Sequence, residues 1–325
     1  AQASAALEMA DSPFSNGCLV RFVGRHKIQD GKLNRIVTGV KVLLLPWLLL
    51  DLIRARRARG SWAECLLQLY SLGEPTAATL PRSPVAGRQQ SVRFVCISDT
   101  HMQHEKLPPL PPGDVLVHTG DFTNFGSMRE VREFATWFAR QPHAVKLVVP
   151  GNHDMILDRE FYDGYWGDWS REKESHDDAV AEFTSRGIRL LINEAEEVLG
   201  LRLYGSSWVP RYASWRTAFN CEVATLERLW QFLPRDLDVL LTHTPPLGCG
   251  DRGEDGKREG CPSLARRVAE LRPKLHAFGH VHSDYGLFPP SGAENDRTFS
   301  VNAACVSDGY FVGGRGAIVV DVPRS

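Results

Sequence analysis

The strongest constraint on the fold is a pattern repeated five times: a short apolar run, then a residue type able to ligate a metal. Residues 92–97 precede Asp99 and His101, and residues 114–118 precede Gly120 and Asp121. Residues 146–149 precede Gly151, Asn152, His153 and Asp154. Residues 238–241 precede Thr242 and His243, and residues 274–278 precede Gly279, His280, Val281 and His282. The runs are rich in Val, Ile, Leu and Phe and read as strands. A further strand is expected over residues 201–204. Helical spacing fills the gaps. Residues 128–140 put Val131, Phe134, Ala135 and Phe138 on one face, and residues 177–186 do so with Ala179, Val180 and Phe183. Residues 222–232 align Val223, Leu226, Leu229 and Trp230, while residues 262–271 open on Pro262 and stop before Pro273. Strands alternating with helices make the fold class α/β. In such a sheet the loops at the strand exits converge, so candidate ligands from distant parts of the chain are expected to meet.

The donor chemistry is coherent. Carboxylates, imidazoles and one amide form a mixed nitrogen and oxygen set, which suits Mn, Fe, Zn or Ni better than Ca or a thiolate-bound ion. Histidine is neutral near pH 7 and ligates readily. Asp99 and His101 lie two apart, so in extended chain both side chains point the same way. Two divalent ions need a shared anion, and Asp121, just past Gly120, is the natural bridge. Seven cysteines without tight pairs build no zinc or disulfide framework. Cys96 reads as a small core residue. Cys249 and Cys261 would pair only in an oxidising compartment, and a reduced intracellular state is expected. The formal net charge is −1 with 24% charged residues, which makes no electrostatic case for nucleic acid as a partner. There is no Gly-x-Ser-x-Gly, so a serine hydrolase has no support.

Taken together and in this order, the five segments resemble the calcineurin-like metallophosphoesterase superfamily. The resemblance implies that Asp99, His101 and His282 hold one metal, that Asn152, His243 and His280 hold the other, and that Asp121 bridges them. His153 would not be a ligand. It would face the substrate and stabilise charge or protonate the leaving oxygen, with Asp154 orienting or charging it. Further stretches, 218–220, 242–248, 260–261, 272–276, 278–282 and 301–303, are similar to the metallophosphoesterase-domain-containing branch, and the similarity spans roughly residues 92–322. That branch includes enzymes that hydrolyse phosphodiesters, cyclic nucleotides among them. Some animal members lack the histidine at the position of His280 and are weak enzymes; this chain has it. The implied fold is a four-layer α/β/β/α sandwich. The implied cofactors are two divalent ions (Mn, Fe, Zn or Ni), and the implied partner is a small phosphodiester or phosphomonoester. Its phosphorus would be attacked in line by a metal-bridging hydroxide. A protein phosphatase of the same superfamily is disfavoured, because residues 120–126 and 151–154 depart from that subfamily's usual segments.

Substrate groups must come from elsewhere. Trp208, Arg211, Tyr212 and Arg216 combine rings and guanidinium groups in one loop, which would stack on a base and fork onto phosphate, or else cap the core. The aromatic stretch 161–169 walls an entrance or packs a subdomain. His118 and His276 read as hydrogen-bonded core residues, His104 as rim or surface, and His26, His143 and His176 as surface.

Residues 1–72 read as an N-terminal, partly hydrophobic helical extension, 73–91 as a proline-bearing linker, and 92–325 as the phosphoesterase domain. Residues 36–53 are almost wholly apolar but are interrupted by Lys41, Pro46 and Asp51, then followed by Arg54, Arg56, Arg57 and Arg59. The interruptions argue against spanning a bilayer. The segment fits an interfacial anchor, or a helix docked through 36–59 on this domain or a second subunit. The protein is thus expected to be intracellular, cytoplasmic or peripherally membrane-associated. Two alternatives to the small-substrate reading are a phosphatase for an amphiphilic, lipid-like phosphate and a non-catalytic, metal-stabilised regulatory scaffold.

Overall fold

A computed structural model describes residues 91–211, 216–290 and 297–324. The expected extension, all but the last residue of the linker, and Tyr212 lie outside these residues. In chain order the main elements are β1 (Ser91–Ile97), β2 (Val115–His118), α1 (Met128–Ala139), β3 (Val145–Val148), α2 (Arg159–Tyr165), α3 (His176–Thr184) and β4 (Arg189–Leu190). There follow β5 (Glu194–Val198), β6 (Leu201–Ser206), β7 (Val209–Pro210), β8 (Asn220–Cys221), α4 (Val223–Gln231) and β9 (Val239–Thr242). The chain closes with α5 (Pro262–Leu271), β10 (Leu275–Phe278), β11 (Gly286–Phe288), β12 (Phe299–Asn302) and β13 (Ile318–Pro323). Within the described residues, every strand and helix read from the apolar pattern is present, shifted by a residue or two at its ends.

The strands form two large sheets, in the orders β13-β1-β2-β3-β4 and β11-β12-β10-β9-β6-β5. The centres of both are parallel: β1 through β4 in the first, and β12, β10, β9 and β6 in the second. Antiparallel strands cap the edges at β13, β11 and β5. Alternation along each strand divides its side chains between two cores. From β1, Val92, Phe94 and Cys96 join Val115, Val117, Leu203, Val239, Leu241, Leu275 and Val301 in one core made by both sheets. Val95 and Ile97 face the other way, toward Val131, Phe134 and Phe138 of α1 and Phe183 of α3. On the far side, Leu240 packs with Leu226 and Trp230 of α4 and Leu264, Val268 and Leu271 of α5. The result is helix, sheet, sheet, helix. Because the central strands are covered on both faces, they read as nearly continuous apolar runs.

Local signals set the helix ends. Ser127 caps α1 through a reciprocal capping box with Glu130. Pro262 opens α5, and Arg272 ends it in a left-handed conformation before Pro273. Among the described residues no helix is long and apolar enough to cross a membrane. Two surface assignments need correction. His104 and His143 are buried, at 1% and 2% exposure. His104 is held against the rings of Phe134 and Trp137, and His143 reaches the Pro111 carbonyl. Aromatic packing behind α1 and a turn carbonyl recruited them, neither of which is visible in a linear pattern.

Candidate metal centre

The parallel strands β1, β2, β3, β9 and β10 deliver their exit loops to one end of the two sheets. These loops do not continue extended. Asp99, His101, Asp121 and His280 all adopt positive φ, at 50°, 40°, 57° and 69°. The same-side argument for Asp99 and His101 therefore fails in its premise, since both residues lie in a tight left-handed turn. Such backbone is unfavourable for residues with a Cβ, and its concentration in these few residues marks a functional site. Two glycines make room for the turns. A Cβ on Gly279 would collide with Asp99 Oδ2 and Ser98 Oγ, and one on Gly120 (φ +111°) with His243 Nδ1.

Two clusters result: Asp99, His101 and His282, and Asp121, His243 and His280, each with donor atoms within 4.8 Å of one another. Asp121 Oδ2 lies 3.3 Å from His243 Nε2 and 3.8 Å from His101 Nε2, so this carboxylate stands between the clusters. Asn152 Oδ1 is 3.0 Å from His243 Nε2, and Asp99 Oδ1 is 3.3 Å from His282 Nε2. Asp99 also receives the backbone N–H of His280 at 3.0 Å, tying a β1 loop to a β10 loop.

Three observations fit a pair of cations to these residues. His101 is buried, and neither of its ring nitrogens has a hydrogen-bond partner, which is costly unless something else occupies their lone pairs. His243 donates from Nδ1 to the Thr119 carbonyl at 2.8 Å. Its Nε2 then faces two oxygens, Asp121 Oδ2 and Asn152 Oδ1, and only a proton or a metal ion suits that arrangement. A backbone carbonyl behind a ligand imidazole also fixes its tautomer. The third observation is the donor set itself: imidazole, carboxylate and amide, with no thiolate.

The electrostatics agree. Burial alone would raise the Asp99 carboxyl, but the His282 hydrogen bond and the His243 and His282 rings bring it down to about 2. Burial likewise opposes ionisation of Asp121, yet His243 and His153 hold it well below the usual carboxylate range. Burial opposes charge on His243 too, and the Asp121 carboxylate overrides it, raising the ring to about 9. Burial pushes His101 and His280 down to about 3, which leaves both neutral near pH 7. The centre thus offers anionic oxygens, two neutral imidazoles in His101 and His280, and a His243 ring whose proton sits where a cation would.

His153 belongs to neither cluster. Its backbone N–H donates to Asp121 Oδ1 at 2.8 Å, its Nδ1 to the Asn124 carbonyl at 2.9 Å, and its ring centroid is 5.0 Å from that of His101. Asp154 does not orient it. The Asp154 carboxylate accepts from the N–H of Gly151, Asp121 and Thr123 and from Thr123 Oγ1, at 2.7 to 3.0 Å. Burial, then the Asp121 charge, push that carboxyl up to about 8 although all four partners are donors. Asp154 is a clamp on two ligand loops, and a main-chain carbonyl, that of Asn124, holds the His153 ring.

Of the residues named for substrate contact, Tyr212 lies outside the described residues, and the other three have partners of their own. Arg211 and Arg216 are exposed and lie 3.4 Å from Glu222 and 3.5 Å from Asp168, respectively. The Arg216 guanidinium covers the Tyr165 ring at 4.8 Å. Trp208 packs edge-on to Phe219, with ring centroids 6.0 Å apart. Phe161 packs on Tyr165 and Trp169, so the aromatic stretch is a small packed unit. Of this loop, Trp208 packs against the core. Other contributors escaped the sequence reading. Asn302 Nδ2 donates to the carbonyls of Gly250 and Val281, both at 2.8 Å. Arg315 donates to the carbonyls of His282 and Val306, each at 2.6 Å. Tyr310 sets its ring 4.7 Å from His101 and 5.4 Å from His282. Asn302 falls within a stretch noted for its resemblance; Tyr310 and Arg315 sit in a glycine-rich tail with no spacing pattern.

The family follows from comparison with known proteins. A family model described as Calcineurin-like phosphoesterase matches residues 92–284, and the chain belongs to that family. Among curated proteins it is 36% identical over 227 residues to human Metallophosphoesterase domain-containing protein 1, a match covering 67% of each chain. A UPF0046 protein of Caenorhabditis elegans is 36% identical over 253 residues, covering 72% of this chain and 82% of its own length. Another from the same organism is 34% identical over 263 residues, covering 79% and 84%. These relatives put the chain in the metallophosphoesterase-domain-containing branch.

Proposed function

We propose that this chain is a dinuclear metal-dependent phosphoesterase that hydrolyses a small phosphodiester or phosphomonoester. The observation that carries this reading is the pair of buried clusters with Asp121 between them. Asp99, His101 and His282 would hold one ion, Asn152, His243 and His280 the other, with Asp121 shared. Bound there, the two ions would supply Lewis acidity toward the phosphoryl oxygens and would acidify water near neutral pH. The chain's own part is orientation and proton transfer. His153, fixed by its Nδ1–H donating to the Asn124 carbonyl, would as the imidazolium give the proton on its other nitrogen to the departing oxygen and be left neutral. Asp154 keeps the loops of Asp121 and Asn152 in register by accepting their inward amides. The carboxylates and imidazoles are preorganised by their hydrogen bonds, so little reorientation is required during the reaction.

The test is metal analysis of the purified chain alongside rates on aryl phosphomonoesters, diesters and cyclic nucleotides. Asp121→Ala and His243→Ala are expected to lose metal and turnover while remaining folded. His153→Ala should keep its metals and lose rate by about 10²- to 10⁴-fold. Turnover retained in Asp121→Ala would sink the reading.

A second substrate reading, an amphiphilic phosphate met at a membrane, draws on the apolar stretch 42–50 and the arginines that follow it. Deleting residues 1–90 should then lower the rate on lipid-like phosphates relative to soluble ones. An unchanged ratio would remove this reading and leave the first untouched.

A further inference from the structure

Tyr310 is a bulky aromatic residue held at φ +59°, a conformation such a side chain adopts only under constraint. The constraint comes from the metal-ligand loops. The Gln103 side-chain amide, two residues beyond His101, donates to the Tyr310 carbonyl. The Tyr310 N–H donates to the Ser307 carbonyl at 2.7 Å, and the Ser307 N–H to the Phe311 carbonyl at 2.8 Å. Arg315 fastens the same segment to the His282 carbonyl. The turn is therefore gripped from both sides of the Asp99, His101 and His282 cluster. It brings the Tyr310 ring edge-on to two candidate ligand imidazoles, at interplanar angles of 77° and 88°.

The ring lies against the ligand imidazoles without being enclosed itself: Tyr310 is 45% exposed, and its neighbour Phe311 is 40% exposed. Two more exposed apolar side chains belong to loops of the same centre. Phe125 (57%) adjoins Asn124, whose carbonyl holds His153, and Leu247 (42%) lies four residues past His243. A tyrosine strained into place beside a polar centre and left open to solvent is suited to a ligand that is charged at one end and flat and apolar at the other.

We infer that Tyr310, with Phe311 beside it, forms a subsite for an aromatic group carried by the phosphate ester. The ring of the substrate stacks there while the phosphoryl group lies at the metal clusters. This inference rests on the phosphoesterase reading and adds the chemical class of the organic portion. Aromatic pairing of this kind corresponds to about a three- to tenfold preference in affinity, and it tolerates any flat ring, whether an aryl group or a nucleobase.

The test is binding of two non-hydrolysable probes, phenylphosphonate and methylphosphonate, to the manganese-loaded full chain by calorimetry. Metal content is measured on every sample. The wild type is expected to bind phenylphosphonate about three- to tenfold more tightly. Tyr310→Phe should keep that ratio, and Tyr310→Ala should bring it close to one. Equal affinities in the wild type would overturn the subsite while leaving the phosphoesterase reading in place. So would an undiminished ratio in Tyr310→Ala, or a Tyr310→Ala protein that simply loses its metal. Failure of the loaded wild type to bind either probe would take down the phosphoesterase reading and this inference with it.

Discussion

The two sheets carry the centre in closely matched ways up to the point where their loops begin. Each buries one strand histidine beneath a ligand loop. In the first sheet His118 accepts from the Gly120 N–H at Nδ1 and donates from Nε2 to Thr100 Oγ1 at 3.0 Å, between Asp99 and His101. In the second sheet the Thr242 hydroxyl donates to the Thr244 carbonyl, so His276 Nε2 donates to Thr242 Oγ1, at 2.8 Å, beside His243. Burial lowers both imidazoles to about 3. Above that level each clamp answers the peptide groups it meets, and the second half uses both kinds, since Asp251 accepts there from the N–H groups of Gly248 and Gly260. The loops after β2 and β3 turn backbone N–H groups inward, and a carboxylate, Asp154, gathers them. The loops after β9 and β10, together with the segment after β12, turn carbonyls inward, and an amide and a guanidinium, Asn302 and Arg315, gather those. The clamp on each side is thus decided by which end of the peptide faces in. A buried backbone group must find a partner, and its sign selects the side chain.

Exchanging the clamps tests that rule most directly. Asn302→Asp would set a carboxylate against two carbonyls at a position with no exposure, and is expected to cost about 4 kcal/mol in urea unfolding, the scale of an uncompensated buried charge. A loss below about 1 kcal/mol would break the polarity argument for the second half. The reciprocal change, Asp154→Asn, keeps one acceptor oxygen and turns an NH2 toward backbone donors. About 3 kcal/mol is expected from the groups left unsatisfied, together with weaker metal retention by roughly 10- to 100-fold. Unaltered stability there would mean that the first half's loops hold without their clamp.

The smallest effect probes what the halves share. His118 and His276 stay neutral in the folded chain down to about pH 3, because burial lowers both rings. In the unfolded chain a histidine protonates near 6.5. Between those limits the unfolded state binds more protons, so stability falls as pH falls. Each ring should contribute roughly 1 kcal/mol of loss in chelator-treated protein on going from about pH 6.5 to 5.5. His118→Gln and His276→Gln should each flatten the pH dependence of urea unfolding by a similar share. A change confined to one variant would show that the strand histidines are not equivalent.

Much of this was legible in the chain. The strand runs and the helices Met128–Ala139 and Pro262–Leu271 follow from period and punctuation, because propensity and burial act on the same residues there. The candidate ligands were legible because each follows an apolar run, and parallel strands carry their exit loops to one edge. The orienting role expected of Asp154 failed for a definite reason. Adjacency to His153 in sequence says nothing about which loop amides its carboxylate will meet across 31 to 33 residues. The partners of Arg211 and Arg216 were equally hidden, since a cation pairs with whatever acidic group the fold brings near, here Glu222 and Asp168.

The sequence by itself determined the α/β class, the family and the chemical identity of the donors, since these depend on residue type and local spacing. The division of the donors and the bridging place of Asp121 were implied by the resemblance; the tertiary structure alone decided the left-handed turns that bring them together and that Tyr310 reaches across to His101 and His282. It also decided which loops the Asp154 carboxylate and the Asn302 amide each clamp. Those outcomes depend on left-handed turns and on which peptide groups they force inward, and a turn's inward face has no periodicity to read along the chain.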